Sequence, residues 1–283
     1  MESLAYFGNS PWLLTRIGLR HMDARPMPNA AFPSVYRNAL LQNDPVNGEQ
    51  VGAMISVIIP TLNEAENLPS LLDSLCRQGA GNEIIVVDGG SEDGTAELVA
   101  RFDVTCLHSH PGRSQQLHLG AKAACGEVFL MLHADSDFPD GGLQKIAGIL
   151  AASPNIIGGN FALTFDGGDA FSQWLNGFYG WLRRRGIYYG DSGIFVRRSV
   201  YESVGGIRPM ALMEDYDFVD RLEAAGKTSC IDEPALVTSA RRFQGRHPIT
   251  IVLGWLVIHA LFYFGVPPQY LAWIYNSNRR GRE

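Results

Sequence analysis

The chain has 283 residues, enough for one large α/β domain with an appendage. Its 46% apolar and 18% charged residues are ordinary for a globular protein with a slight apolar lean. A net charge of −6 argues against nucleic acid as the main partner. The six arginines and one acid from Arg241 onward nevertheless leave a basic, apolar tail on an acidic body, a pattern suited to an anionic ligand or a membrane surface.

Residues 1–53 carry Pro11, Pro26, Pro28, Pro33 and Pro45 with no sustained apolar period, and they read as an N-terminal extension outside the fold. No basic leader precedes an unbroken apolar run, so no secretory signal is expected. From Ile55 the pattern is βα repeats. The run Ile55–Ile59 reads as a strand buried on both faces and ended by Pro60. Leu68, Leu71, Leu72 and Leu75 recur at helical spacing. Glu83–Val87 is a second strand that delivers Asp88 to its carboxyl end. A helix over 95–101, a short strand over 104–107, a helix over 113–124 and a strand over 128–132 follow. The second half is less regular: a strand over 160–164, an aromatic helix over 171–185, a strand over 194–196 and a helix over 215–225. The four cysteines, Cys76, Cys106, Cys125 and Cys230, have no zinc-knuckle or redox spacing and read as small buried hydrophobes.

Three polar clusters fall at the carboxyl ends of predicted strands, where open parallel sheets bind ligands. Pro60-Thr61-Leu62-Asn63-Glu64 reads either as a helix cap or as hydrogen-bonding groups for a base or ribose. In Val87-Asp88-Gly89-Gly90-Ser91-Glu92-Asp93-Gly94-Thr95, two glycines free the backbone for close approach to a ligand. Asp88 can accept from a base N–H or a ribose hydroxyl, and Ser91 or Asp93 can cap the next helix. After the fourth strand come His133-Ala134-Asp135-Ser136-Asp137. Asp135 is a candidate ligand for Mg²⁺ or Mn²⁺, which bridge one or two carboxylates to substrate phosphates. His133 supports it, contacts a phosphate or caps the strand. Further on, Glu214-Asp215-Tyr216-Asp217 sets three acids at a helix start, where the helix dipole favours them. Read as chemistry, Asp215 is a general base whose proton affinity is raised by its crowded neighbours. No dinucleotide fingerprint or P-loop occurs.

Together and in this order, with Gly112-Arg113 before a helix, these segments resemble the family 2 glycosyltransferases over about residues 54–245. The resemblance implies a GT-A fold: a Rossmann-like, mostly parallel sheet flanked by helices. It implies that Pro60, Thr61, Asn63, Glu64, Asp88 and Ser91 hold the nucleotide, and that a divalent ion sits against the diphosphate at Asp135. Asp215, the second acid of the Glu214-Asp215 pair, then takes the acceptor's proton. The sequence departs from the family's Asp-x-Asp at its first acid, which is His133. With Tyr189-Gly190-Asp191-Ser192-Gly193-Ile194-Phe195, this looks like a small stand-alone bacterial subgroup with links to arsenosugar and carotenoid-glycoside pathways.

The implied reaction is an inverting transfer from a nucleotide-diphosphate sugar, a UDP-sugar favoured, to a small-molecule or lipid-like acceptor. The metal and Arg113 neutralise the leaving diphosphate. Gly190 and Asp191 lie beside the sugar or acceptor, and Arg241, Arg242 and Arg246 close over the diphosphate or form a solvated surface. Competing readings are a nucleotidyltransferase and a non-catalytic, membrane-associated nucleotide-sugar-binding protein. The first would want a Gly-rich, basic loop after the first strand, where Thr61–Glu64 stands.

Residues 246–283 form an apolar C-terminal helical segment with a basic end. Ile249 to Val266 has no Asp, Glu, Lys or Arg, at the lower limit of a membrane span. Core or interfacial helices are the favoured reading, with peripheral contact at the inner face of a plasma membrane and an otherwise cytoplasmic protein. The stripe Phe171, Trp174, Phe178, Tyr179 and Trp181 reads as core packing or as an apolar acceptor path.

Overall fold

The structure, a computed structural model, describes residues 53–78, 81–238 and 247–280. Six βα-type elements open the domain: β1 (Ile55–Thr61), α1 (Leu68–Arg77), β2 (Glu83–Asp88), α2 (Thr95–Val99), β3 (Thr105–His108) and α3 (Arg113–Ala123). Then come β4 (Val128–Met131), α4 (Gly142–Ala152), β5 (Ile156–Phe165), α5 (Ala170–Arg183) and a 3₁₀ turn (Gly190–Ser192). The order continues with β6 (Ile194–Arg197), α6 (Arg198–Ser203), α7 (Glu214–Ala225), β7 (Lys227–Thr238), α8 (Pro248–Tyr263) and α9 (Pro268–Arg280).

The seven strands form one sheet in the order β3-β2-β1-β4-β6-β5-β7. Strands β3, β2, β1 and β4 are mutually parallel, and β6 alone runs against its neighbours β4 and β5. The order reverses direction between β1 and β4, which opens a crevice beyond their carboxyl ends. Register sets the depth of that crevice: Thr61 lies opposite Asp88, and Asp88 opposite His108.

Both faces of the sheet are apolar, as expected of strands covered by helices on each side. Alternate residues divide between two cores. Ile55, Val57, Ile59, Val86 and Leu130 join α1, α4 and α5, whereas Ile58, Ile85, Val87, Phe129 and Met131 join α3, α6 and α7. The α3 side is the tighter one. A Cβ on Gly120 would stand 2.4 Å from Cγ2 of Ile58, so glycine there allows the helix to lie close on β1.

Several sequence expectations need correction. Pro60 does not end β1, which runs to Thr61. The last ladder bond on the β4 side is Leu132 N–H to the Ile58 carbonyl. Pro60 faces that same side one step later, beyond the end of β4, so its missing N–H has no partner to lose. Asn63 and Glu64 do not start a helix either, because α1 begins at Leu68. The strand expected over 160–164 is the ten-residue β5, and α5 starts earlier, where the Asp169 carboxylate accepts the Ser172 N–H. Elements α4, α6 and β7 were not foreseen.

Among the described residues no helix is long and apolar enough to cross a membrane. The C-terminal apolar run folds instead as the 16-residue α8 and the 13-residue α9.

Candidate active site

The loops after β1 and β2 are laced together. Asn63 N–H donates to Ser91 Oγ (2.8 Å), and Glu92 N–H donates to Asn63 Oδ1 (2.9 Å). Glu64 N–H donates to Thr95 Oγ1 (2.9 Å), and Ala65 N–H to Asp93 Oδ2 (3.0 Å). Asn63 takes a left-handed conformation (φ 56°) to make this exchange, which asparagine tolerates better than most residues. Asp93 also accepts the Thr95 N–H (3.0 Å) at the start of α2, while the cap position expected for Ser91 or Asp93 is taken by Gly94.

Asp88 is buried at 2% exposure. Its carboxylate accepts N–H bonds from Gly90 (3.1 Å) and Ser91 (3.2 Å) and the Ser91 hydroxyl. The carboxylate therefore shapes the glycine loop. A residue not anticipated, Gln116 on α3, completes this corner. Its Nε2 donates at 2.7 Å to the carbonyls of both Thr61 and Val87, tying together the ends of β1 and β2. Its only signal in the sequence was a polar residue one turn after Arg113 on an inward-facing stripe.

The second half of the site centres on Arg113, the first residue of α3. Its guanidinium Nε contacts Glu214, Nη1 lies 3.1 Å from His133 Nε2, and Nη2 lies 3.4 Å from Asp215 Oδ2. One cation thus gathers residues from after β4 and from the start of α7. Asp215 also accepts the Gly190 N–H at Oδ2 (2.9 Å) and its neighbour Tyr216's N–H at Oδ1 (2.8 Å). Gly190 is pressed into this arrangement, since a Cβ there would lie 3.0 Å from His133 Nε2 and 3.3 Å from Asp215 Oδ2. Asp191 is buried beside it, and its charge helps to hold Arg113 protonated. Met213, just before α7, is left-handed at φ 69°. It and Asn63 are the two non-glycine residues of positive φ among those described, and both flank this site.

The electrostatics correct one expectation. Crowding was expected to raise the proton affinity of Asp215. Burial does push its carboxyl up, but Arg113, the Gly190 N–H and His133 outweigh burial and hold it below the ordinary carboxylate range. The rise falls on Glu214, where burial and the Asp215 charge prevail over Arg113. Asp215 is therefore the more acidic member of the pair. Burial and neighbouring negative charge push the phenols of Tyr189 and Tyr216 up, so both stay neutral beside it.

The expected donor pair for a metal divides. Asp135 stands exposed on the turn after β4. His133 instead sets its Nε2 3.1 Å from Nη1 of Arg113, a cationic neighbour that disfavours a metal ion at that nitrogen. Among the described residues no three His, Cys, Asp or Glu gather as a metal-binding group. One protein carboxylate with substrate phosphate oxygens still suits Mg²⁺ or Mn²⁺. Pro60, Thr61, Asn63, Glu64, Asp88 and Ser91 form one corner, and Arg113, His133, Gly190, Glu214 and Asp215 another. Arg241, Arg242 and Arg246 lie outside the described residues.

Comparison with known proteins gives this arrangement a context. The family model described as glycosyl transferase family 2 matches residues 56–203. The chain is 31% identical over 201 residues to a PGL/p-HBAD biosynthesis glycosyltransferase of Mycobacterium bovis (strain BCG / Pasteur 1173P2), covering 65% of this chain and 72% of that protein. Among solved structures it is similar to the mannosyltransferase PcManGT from Pyrobaculum calidifontis, in complex with GDP-Man and Mn²⁺. That match has a TM-score of 0.55 at 21% identity, over 79% of this chain and 68% of the other. It is also similar to glucosyl-3-phosphoglycerate synthase from Mycobacterium tuberculosis, in complex with Mn²⁺, UDP and glucosyl-3-phosphoglycerate. There the TM-score is 0.52 at 18% identity, over 76% and 81% of the two chains. The fold is that of the GT-A glycosyltransferases.

Proposed function

The chain belongs to glycosyl transferase family 2 and is a glycosyltransferase, and we propose that it transfers a sugar from a nucleotide-diphosphate donor to an acceptor with inversion. A UDP-sugar is the favoured donor, and the acceptor is a small molecule or a lipid-like compound carrying a hydroxyl. The observation that carries this reading is the single guanidinium of Arg113, which meets Glu214, Asp215 and His133 at the carboxyl edge of β4. The Mn²⁺, GDP-Man and UDP held by the two similar structures support the donor class.

Each group then has a distinct task. The laced loops around Asn63, Ser91 and Asp88 hold the base and ribose, their shape fixed by Asp88 and Gln116. Arg113 turns toward the diphosphate when the donor arrives, since guanidinium suits phosphate oxygens. Asp135 would hold a Mn²⁺ or Mg²⁺ ion, which would supply charge neutralisation of the leaving group. Ionised Asp215, oriented by the N–H groups of Gly190 and Tyr216, accepts the proton of the attacking hydroxyl. Glu214 keeps the guanidinium in place from below, buried at 3% exposure.

A panel of UDP- and GDP-sugars, incubated with the protein and Mn²⁺ or Mg²⁺, tests this reading by mass-spectrometric release of the nucleoside diphosphate. Turnover of one donor that stops on addition of EDTA is expected. Absence of binding and turnover with every donor in the presence of either metal would overturn it.

A further inference from the structure

Helix α8 presents a physical contradiction. It is apolar around its whole circumference, and the stretch 248–278 contains no Asp, Glu, Lys or Arg. Such helices are normally buried or span a bilayer. At 16 residues, α8 is about 24 Å long, short of the ~30 Å hydrocarbon core of a bilayer. Yet only Ile251 and Ile258 of α8 are buried. On its outer side Ile249, Leu253, Leu256 and Val257 recur at i, i+4, i+7 and i+8, each at least half exposed.

This face does not stop at α8. Trp255 stacks on Phe178 of α5, with ring centroids 6.5 Å apart. Along α5 the rings of Phe171, Trp174, Phe178 and Trp181 form a continuous stacked ladder with spacings of 5.8, 4.9 and 6.0 Å. Trp174 and Trp181 remain 46% and 43% exposed. The ladder ends in cations, with the Arg185 guanidinium 3.7 Å over the Trp181 ring and Arg184 exposed beside it. No acid occurs from Ala170 to Arg185, although the whole chain is acidic at −6. After α8 the sequence places Arg279, Arg280 and Arg282 at the far end of the same apolar stretch.

We propose that the outer faces of α5 and α8 form a docking surface for an anionic lipid bilayer, lying in the interface rather than crossing it. Aromatic rings and aliphatic side chains enter the headgroup boundary, and Arg184 and Arg185 meet lipid phosphates. The charge pattern favours this occupant over a second copy of the chain, because this edge carries arginines and no acid on a chain that is acidic overall. The opposite side of α8 packs against the catalytic corner. His259 of α8 sets its ring edge-on to Tyr216 and Tyr189, the neighbours of Asp215 and Gly190. Docking thus sets the acceptor side of the site close to the bilayer.

Flotation of the full chain with phosphatidylcholine vesicles, and with vesicles containing 30% phosphatidylglycerol (roughly the charge of an anionic leaflet), tests the proposal. Binding to the anionic vesicles that weakens with added salt is expected. Arg184→Gln with Arg185→Gln should lower that affinity about 25-fold, at about fivefold for each cation. Trp181→Glu with Leu256→Glu should lower it about tenfold or more. Trp174→Glu serves as a second variant if that pair misfolds, and far-UV circular dichroism with donor hydrolysis in solution verifies folding. Three results overturn the proposal: no flotation at any phosphatidylglycerol content, wild-type binding by the apolar variants, or loss of a dimer in those variants without any vesicle binding by the parent.

Discussion

Asp215→Asn separates chemistry from binding. The amide keeps the shape of the carboxylate but cannot take a proton. A positioned general base contributes about 10²–10⁴ in rate, or about 3–5 kcal/mol of barrier, and kcat should fall by that factor. The structure also implies a stability cost. In the native site Oδ1 accepts from Tyr216 N–H, while Oδ2 accepts from Gly190 N–H and faces Arg113. An asparagine has only one oxygen, so whichever way it turns one donor meets its NH₂ group. Leaving a buried donor unsatisfied costs about 1–3 kcal/mol. The side chain is 13% exposed, so we expect the lower half of that range and a fall in Tm of roughly 2–6 °C. Nucleoside diphosphate should still bind, since Arg113 loses a competing carboxylate. Stopped assays give kcat, scanning calorimetry gives Tm and isothermal titration gives the nucleotide Kd. Unchanged kcat, as for an acceptor that attacks as a preformed carboxylate, would refute the base assignment, as would loss of nucleotide binding with the fold intact.

Three further substitutions probe separate links. Arg113→Gln removes the cation that most lowers the Asp215 pKa. The base works when ionised, so the acid limb of the pH–rate profile should move to higher pH, and a limb that stays or moves down contradicts the electrostatics. Gly190→Ala drives a methyl between His133 and Asp215. It should cut kcat by about tenfold to a hundredfold through misplacement of the base while Tm stays near that of the parent; full activity would show that this contact gives way freely. Gly120→Ala overfills the α3–β1 contact and should cost about 1–3 kcal/mol by denaturant unfolding, with kcat at 25 °C preserved. A neutral effect on stability would mean that the helix can shift away from Ile58.

Strands β1, β2 and β4 were legible because strands buried on both faces have uninterrupted apolar runs, and their ends delivered Asp88 and His133 to the crevice. Strand β7 was not, since Lys227–Thr238 mixes Asp232, Glu233 and Pro234 with apolar residues, and register shifts interrupt its pairing with β5. Helix α4 carried its signal in Leu143, Ile146 and Leu150, which are buried at helical spacing. In the site, residue types announced their chemistry but not their partners. Neighbouring acids alone suggested a raised pKa at Asp215, and only the fold shows Arg113, a hundred positions away, reversing that sign. The role of Gln116 was hidden for the same reason, because it depends on two carbonyls from different strands.

In the proposed reaction Asp135 would be the protein's one carboxylate on a metal shared with the donor diphosphate. Calorimetric titration of UDP and GDP into the protein, with and without Mn²⁺, measures that sharing directly. Binding of metal and nucleotide must be reciprocally coupled if the ion bridges them. Mn²⁺ should tighten nucleotide binding in the parent, and Asp135→Asn should abolish this coupling while weaker, metal-free binding persists. Mn²⁺-dependent tightening that survives unchanged in Asp135→Asn would contradict this role for Asp135.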